Sequence, residues 1–250
     1  MNNPIVISVD GIDGCGKNTT VNKIEEILTV KNGMRVKKLS FPMYNNKTSV
    51  LIKDFLNGEL DPNKKLDPYT KAMLFAIERR IYFTNASDEL MKYDVILLDR
   101  SFISNAVYQL VEFEKEAKTR AEIEEFLDNI LDLEFNYCNF NDVLFPINNN
   151  YFKFILYHEN FETNLKMIIN RSIKDNRPLD ENEKNSSYLK ACHDAQLNLL
   201  NYLSNFSDTD KYYKESYSYE LIKVSDNEGC INLPNEIANN IINSVYNKLK

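Results

Sequence analysis

The chain has 250 residues, with 30 Lys and Arg against 37 Asp and Glu, a formal net charge of −7. Hydrophobic residues at 43% and charged residues at 27% supply a packed core and exclude disordered, collagen-like and coiled-coil chains. The apolar runs are far shorter than the ~20 residues of a membrane helix, and an acidic balance argues against a nucleic-acid groove or an anionic membrane as the main partner. Cys15, Cys138, Cys192 and Cys230 are irregularly spaced with no CxxC pair, so neither a zinc site nor a disulfide framework is expected. Met1–Asp10 lacks the basic and long apolar regions of a signal peptide, and the expected compartment is the reducing cytoplasm.

Taken in chain order, strand-like and helix-like patterns alternate. Pro4–Val9 is a short β-branched run ending at Asp10-Gly11 and reads as a buried strand. Val21, Ile24, Ile27 and Leu28 recur at helical spacing, with Asn32-Gly33 as the stop. Arg35–Phe41 is a second strand, and Val50–Leu56 a short helix closed by Gly58. Asp67-Pro68 supplies an N-cap and a proline at the first helical position for a long helix towards Lys92. Asp94–Asp99 is an apolar third strand suited to the centre of a parallel sheet. A helix from Ser104 follows, and Thr119–Glu122 has the spacing of a capping box. Phe152–Tyr157 and Glu220–Val224 read as the fourth and fifth strands, and an amphipathic helix through Ile237, Ile241, Ile242, Val245 and Leu249 closes the chain. This order predicts one α/β domain over residues 1–250, a doubly wound parallel five-stranded sheet flanked by helices. Ser207–Tyr219, rich in Tyr and Ser, reads as a surface insertion.

Gly11-Ile12-Asp13-Gly14-Cys15-Gly16-Lys17-Asn18 lies between the first strand and the first helix, the setting a phosphate-binding P-loop requires. Its glycines let backbone N–H groups turn inward around a phosphate, and the helix N-terminus adds partial positive charge. Lys17 supplies a mobile cation for the β- and γ-phosphates. Gly11, Asp13, Gly14, Cys15, Gly16, Lys17, Asn18 and Thr19 are therefore the expected ATP-binding residues. Asn18 stands where a Mg²⁺-binding Ser or Thr is usual, so its amide oxygen and the Asp99 carboxylate at the end of the third strand are the candidate metal ligands.

Ligands of open α/β sheets bind beyond the carboxyl ends of the strands. Gly11–Lys17, Phe41–Tyr44 and Asp99–Arg100 all lie at such ends and should converge on one crevice. Arg100 offers a planar fork for an oxyanion, although an Asp99–Arg100 structural pair is the alternative. Phe75 and Arg79 stand at i and i+4 on one helix face, where an aromatic alone would more often be core.

Together, Phe41-Pro42-Met43-Tyr44, Leu74–Arg79, Asp99-Arg100-Ser101 with Ser104–Gln109, and the cations Arg171, Lys174 and Arg177 ahead of Asp180–Glu183 resemble the thymidylate kinase family of P-loop nucleoside-monophosphate kinases. The resemblance implies transfer of the ATP γ-phosphoryl group to dTMP with Mg²⁺, in a homodimer. It implies that Phe75 stacks on thymine, that Arg79 and Asn105 hydrogen-bond its edge, and that Tyr108 packs where a ribose 2′-hydroxyl would be. Asp13 would accept the sugar 3′-hydroxyl, and Tyr44 and Arg100, with Phe41 alongside, would hold the acceptor. In this family a catalytic arginine comes from the P-loop or from the lid. The P-loop position here is Gly14, so the lid, about 170–182, would provide Arg177 first and Arg171 second, with Lys174 assisting. Gln109 reads equally as a solvated or subunit-facing residue, Asp180 and Glu183 chiefly as caps of the next helix, and His158 and His193 as packing residues. The alternatives are a deoxynucleoside kinase or another deoxynucleoside-monophosphate kinase and, from another class, a non-catalytic nucleotide-binding module.

Overall fold

The computed structural model describes residues 3–63, 65–115, 119–134, 150–174, 176, 178–179, 181–205, 219–226 and 230–249. Arg177, Asp180, Cys138 and the expected insertion before Tyr219 lie outside the described residues.

The apolar runs form β1 (Ile5–Asp10), β2 (Val36–Ser40), β3 (Val95–Asp99), β4 (Tyr151–Tyr157) and β5 (Tyr219–Lys223). They make one five-stranded sheet in the order β2-β3-β1-β4-β5, with every pairing parallel. Parallel neighbours require crossovers, and the helical stretches supply them. These are α1 (Lys17–Glu26, continued by a π turn over Ile27–Lys31), α2 (Val50–Leu56), α3 (Pro68–Leu90), α4 (Phe102–Phe113), α5 (Arg120–Asp132), α6 (Phe161–Lys174), α7 (Glu181–Lys184), α8 (Ser186–Asn205) and α9 (Pro234–Lys248).

The sheet is covered on both faces, and β3 makes this visible residue by residue. Val95 and Leu97 enter a large core with α1, α4, α5, α8 and α9. Ile96 and Leu98 point the other way, towards Val6, Phe41, Phe83 and Leu90, where α3 closes the second face. Side chains two apart share a face, so a strand buried on both sides must be apolar throughout.

Local signals act where the spacing placed them. Asp67 caps α3 through the Thr70 N–H at 3.0 Å, with Pro68 in the first turn. Thr119 and Glu122 form a reciprocal capping box at the start of α5. The helix expected from Ser104 starts earlier, at Phe102. Asp10, at the end of β1, accepts the backbone N–H groups of Ser101 and Ser104 at 2.8 and 3.2 Å, doing across the sheet what a local cap would do. The expected lid, about 170–182, begins within a helix, since α6 runs to Lys174. No helix among the described residues is long and apolar enough to cross a membrane.

Candidate active site

Three chain reversals meet at the carboxyl edge of β1, β3 and β2. The first is the P-loop. Gly14 adopts φ +86°, and a Cβ there would lie 2.6 Å from the Asn164 carbonyl oxygen of α6. A side chain is thus excluded by backbone conformation and by space. The Asn164 side chain donates to the Asp13 carbonyl at 3.0 Å and to the Cys15 sulfur at 3.3 Å. Gln196 of α8 accepts from the Ile12 N–H at 2.8 Å and donates to the Leu156 carbonyl at 3.2 Å. His158 stands 3.3 Å from the Gly14 carbonyl and 2.9 Å from Ser225 Oγ, and its own carbonyl is 3.0 Å from His193. Both histidines therefore brace the loop. Burial lowers the pKa of His158, favouring the neutral ring.

Lys17 is buried and donates to the Ile12 carbonyl at 2.7 Å, with Asp13 at 3.8 Å. Burial and the nearby Arg100 cation lower its pKa. Cys15 turns inward, and burial raises its thiol pKa. Asn18 and Thr19 are exposed, and the Asn18 amide oxygen accepts from Asn22 at 2.6 Å.

The second reversal follows β3. Arg100 takes φ +73°, unusual for a residue with a side chain, and its N–H returns to the Val9 carbonyl at 3.2 Å. Its guanidinium donates to Asp13 at 2.6 Å and to the Tyr108 hydroxyl at 3.2 Å, while Tyr108 is 3.3 Å from the other Asp13 oxygen. Burial raises the Asp13 pKa, but Lys17, Arg100 and Arg171 outweigh it and hold the carboxyl at about 2. Arg100 accordingly pairs with Asp13 and not with its neighbour Asp99. Asp99 Oδ1 is buried without a hydrogen-bond partner among the described residues, and burial raises the pKa of that carboxyl. Such a hard oxygen donor fits a divalent cation. No cluster of three or more His, Cys, Asp or Glu suited to a metal occurs among the described residues.

The third reversal follows β2, where a cis Phe41-Pro42 bond turns the chain. Phe41 is buried against Tyr82 and Phe83. Tyr44 is half exposed, and burial raises its hydroxyl pKa. The turn is held by Glu78 of α3, which accepts the Met43 N–H at 2.7 Å and the Ser49 hydroxyl.

Two cavities adjoin at these reversals. One is lined by Gly14, Gly16, Lys17, Asn18, Thr19 and Asp99 together with Arg171 and Lys174 of α6. The other is lined by Phe41, Tyr44, Phe75, Arg79, Asn105 and Tyr108. Asp13 and Arg100 line both. Phe75 meets Phe55 edge to face at 6.5 Å. Gln109 is buried in the wall of the second cavity, which corrects its reading as a solvated or subunit-facing residue. The physical reason is that nearly every side of α4 is packed, leaving no solvated face at that position.

Arg171 is half exposed and pairs with the buried Glu183 of α7. Glu183 lies in α7, the short helix directly after Asp180, and its carboxylate also reaches back to Arg171 of α6.

Several supporting residues escaped sequence reasoning. Asp10 also accepts the hydroxyls of Ser101 and Ser104, at 2.5 and 2.8 Å. Its position beside Gly11, and the i, i+3 spacing of the two serines, were usable signals. Asn164, Gln196 and Glu134 gave none, because each acts on residues distant in sequence. Glu134, just beyond α5, is buried, pairs with Arg79 and accepts from Asn105 at 2.8 Å.

A model of the family "Thymidylate kinase" matches residues 9–127. A thymidylate kinase of Mycobacterium tuberculosis is 30% identical over 118 residues, which are 47% of this chain and 54% of that protein. One of Thermoanaerobacter sp. is 35% identical over 104 residues, 41% of this chain and 49% of that protein. The chain thus spans about half the length of the curated relatives it matches. In fold, the likeness extends further. A thymidylate kinase structure from Candida albicans superposes with a TM-score of 0.60 at 17% identity, covering 99% of this chain and 93% of the other. One from Ehrlichia chaffeensis gives 0.52 at 16% identity, covering 98% and 100%.

Proposed function

We propose, from the match of residues 9–127 to the thymidylate kinase family model, that the chain transfers the ATP γ-phosphoryl group to dTMP, giving dTDP and ADP. The observation that carries this reading is the pair of cavities sharing the Asp13–Arg100 wall. A one-nucleotide switch or motor needs only the P-loop cavity. A kinase needs a second, base-sized cavity whose phosphate end opens onto the first.

Phosphoryl transfer is catalysed mainly by positioning and charge neutralisation. Lys17, now resting on the Ile12 carbonyl, exchanges that contact for the donor's phosphates. Arg100 holds the acceptor phosphate, with Tyr44 at the mouth of the cavity. Asp13 accepts the sugar 3′-hydroxyl, and Phe75 stacks on the base, worth ~1–3 kcal/mol. Arg171, Lys174 and Arg177 supply lid cations around the transferred group, and closure of segment 170–182 excludes water. Bound with ATP, Mg²⁺ would supply neutralisation of phosphate charge. Asp99 is the residue that fits it best, directly or through water. Asn18 would have to release Asn22 to contribute its amide oxygen.

Met73, Ile77 and Ile81, exposed at i, i+4 and i+8 along α3, form an apolar stripe that a second copy would bury in the expected homodimer. Free thiols at Cys15, Cys192 and Cys230 suit a reducing cytoplasm.

The test is an ADP-release assay across dTMP, dUMP, dCMP, dGMP and thymidine. Turnover is expected with dTMP foremost. Turnover of thymidine but not dTMP would make the protein a deoxynucleoside kinase. ATP binding without turnover of any acceptor would make it a binding module.

A further inference from the structure

Arg79 of α3 and Asn105 of α4 share a partner supplied by neither helix. Glu134 takes Nη2 of Arg79 in an ion pair, and the same oxygen, Oε1, accepts from Asn105 Nδ2 at 2.8 Å. All three side chains are at least nine-tenths buried. Asn105 Nδ2 also donates to the Ala72 carbonyl at 3.0 Å. Two acceptors therefore converge on one end of the amide, and only the NH₂ group can occupy that end. Asn105 Oδ1, at the other end, is buried without a hydrogen-bond partner among the described residues. Asn105 and Arg79 both line the cavity assigned above to the acceptor base.

We infer that Glu134 is a positioning residue that sets base selectivity: it locks the Asn105 amide with its acceptor end free for the ligand, beside the remaining donors of Arg79. This inference rests on the kinase reading. A fixed acceptor next to fixed donors complements a 4-oxo pyrimidine, which presents N3–H beside O4. Cytosine presents the reverse, an unprotonated N3 beside an amino group, and would leave Asn105 Oδ1 facing a lone pair. An asparagine held by one acceptor alone could turn its amide over and accept cytosine. With Glu134 present, turning over would set Oδ1 against two acceptors in a buried site, where mismatched polar groups are costly.

The test compares dissociation constants for dTMP and dCMP by calorimetry in the protein and its Glu134→Gln variant, alongside ADP release. The wild-type protein is expected to prefer dTMP by at least about tenfold. A glutamine can present either end of its own amide, so the Ala72 carbonyl is then the one fixed acceptor on Asn105, and the ratio should fall to within about threefold. A Glu134 with a merely structural role would weaken both ligands together and lower Tm, leaving the ratio unchanged; that result overturns the inference. A wild-type ratio near one overturns it too. If the uncompensated Arg79 prevents folding, Glu134→Asp keeps the charge, draws the carboxylate away from Asn105, and should also narrow the ratio. A wild-type ratio there counts against the inference. Failure of the kinase reading looks different: dTMP and dCMP bind with the expected ratio, but neither is phosphorylated. If neither ligand binds, both conclusions fall.

Discussion

At Gly14 a single methyl group separates two kinds of cost. Gly14 and Gly16 both have positive φ, +86° and +73°, so alanine is strained at either, by about 1–2 kcal/mol. Only at Gly14 would the new Cβ press on backbone, the Asn164 carbonyl oxygen at 2.6 Å; at Gly16 nothing lies within 4 Å. Gly14→Ala should therefore destabilise the protein by at least ~1 kcal/mol more than Gly16→Ala in denaturant unfolding, since α6 must move to admit it. Equal losses would mean that α6 does not brace the loop. The glycines themselves were legible as a phosphate loop. The neighbour that makes Gly14 indispensable was not, because Asn164 lies 150 residues away. The same holds for Arg100, legible as an anion-binding fork next to Asp99. Which carboxylate it pairs with depends on a left-handed backbone turn that aims it at Asp13.

Among the elements, α5 shows how local chemistry serves a distant site. Its capping box satisfies N-terminal amides through Thr119 and Glu122, a pattern visible in four residues. Thr119→Ala should cost about 1 kcal/mol in denaturant unfolding. Because Glu134 lies just past the other end of this helix, dTMP affinity should change little as long as α5 stays folded. A large affinity loss at unchanged stability would mean that the start of α5 takes part in the site. By contrast, the last turn of α6, polar and basic, fell within the expected lid. Helices tolerate such composition on a face turned to a cavity, and Arg171 and Lys174 line the P-loop cavity from there. The N-terminus of α4 was misjudged by two residues because its capping group, Asp10, belongs to β1.

For the molecule as a whole, the net charge of −7 describes the surface, while the crevice concentrates Lys17, Arg79, Arg100, Arg171 and Lys174. A long polyanion needs a basic face, but a nucleotide needs only a few local cations. Away from that edge, among the described residues, one further cation is buried. Lys153 on β4 lies over the Tyr151 ring at 4.4 Å, and burial, with the nearby Lys248 charge, lowers its pKa to about 7. Its folded pKa is below the unfolded value of 10.5, so between about pH 7 and 10.5 the unfolded chain binds more protons at this residue. In that window the Lys153 contribution makes stability rise with pH. Lys153→Met should therefore raise Tm, by more at pH 7 than at pH 9.5. The same gain at both values would show that the ammonium is solvated in the folded protein and keeps the pKa of the unfolded chain.

Legible in the sequence alone were the alternation of strands and helices, the P-loop with Lys17, and the strand ends at which the site had to form. Those features rest on interactions within about four residues, or on side-chain periodicities of 2 and 3.6, which any window of the chain displays. The tertiary structure decided which partner each polar group takes. Asp13 goes to Arg100, Glu183 to Arg171, Asn164 and Gln196 to the P-loop, and Glu134 to the pair Arg79 and Asn105. In a buried site such pairings follow from what the sheet order brings within hydrogen-bonding distance, and distance in the chain carries no record of it.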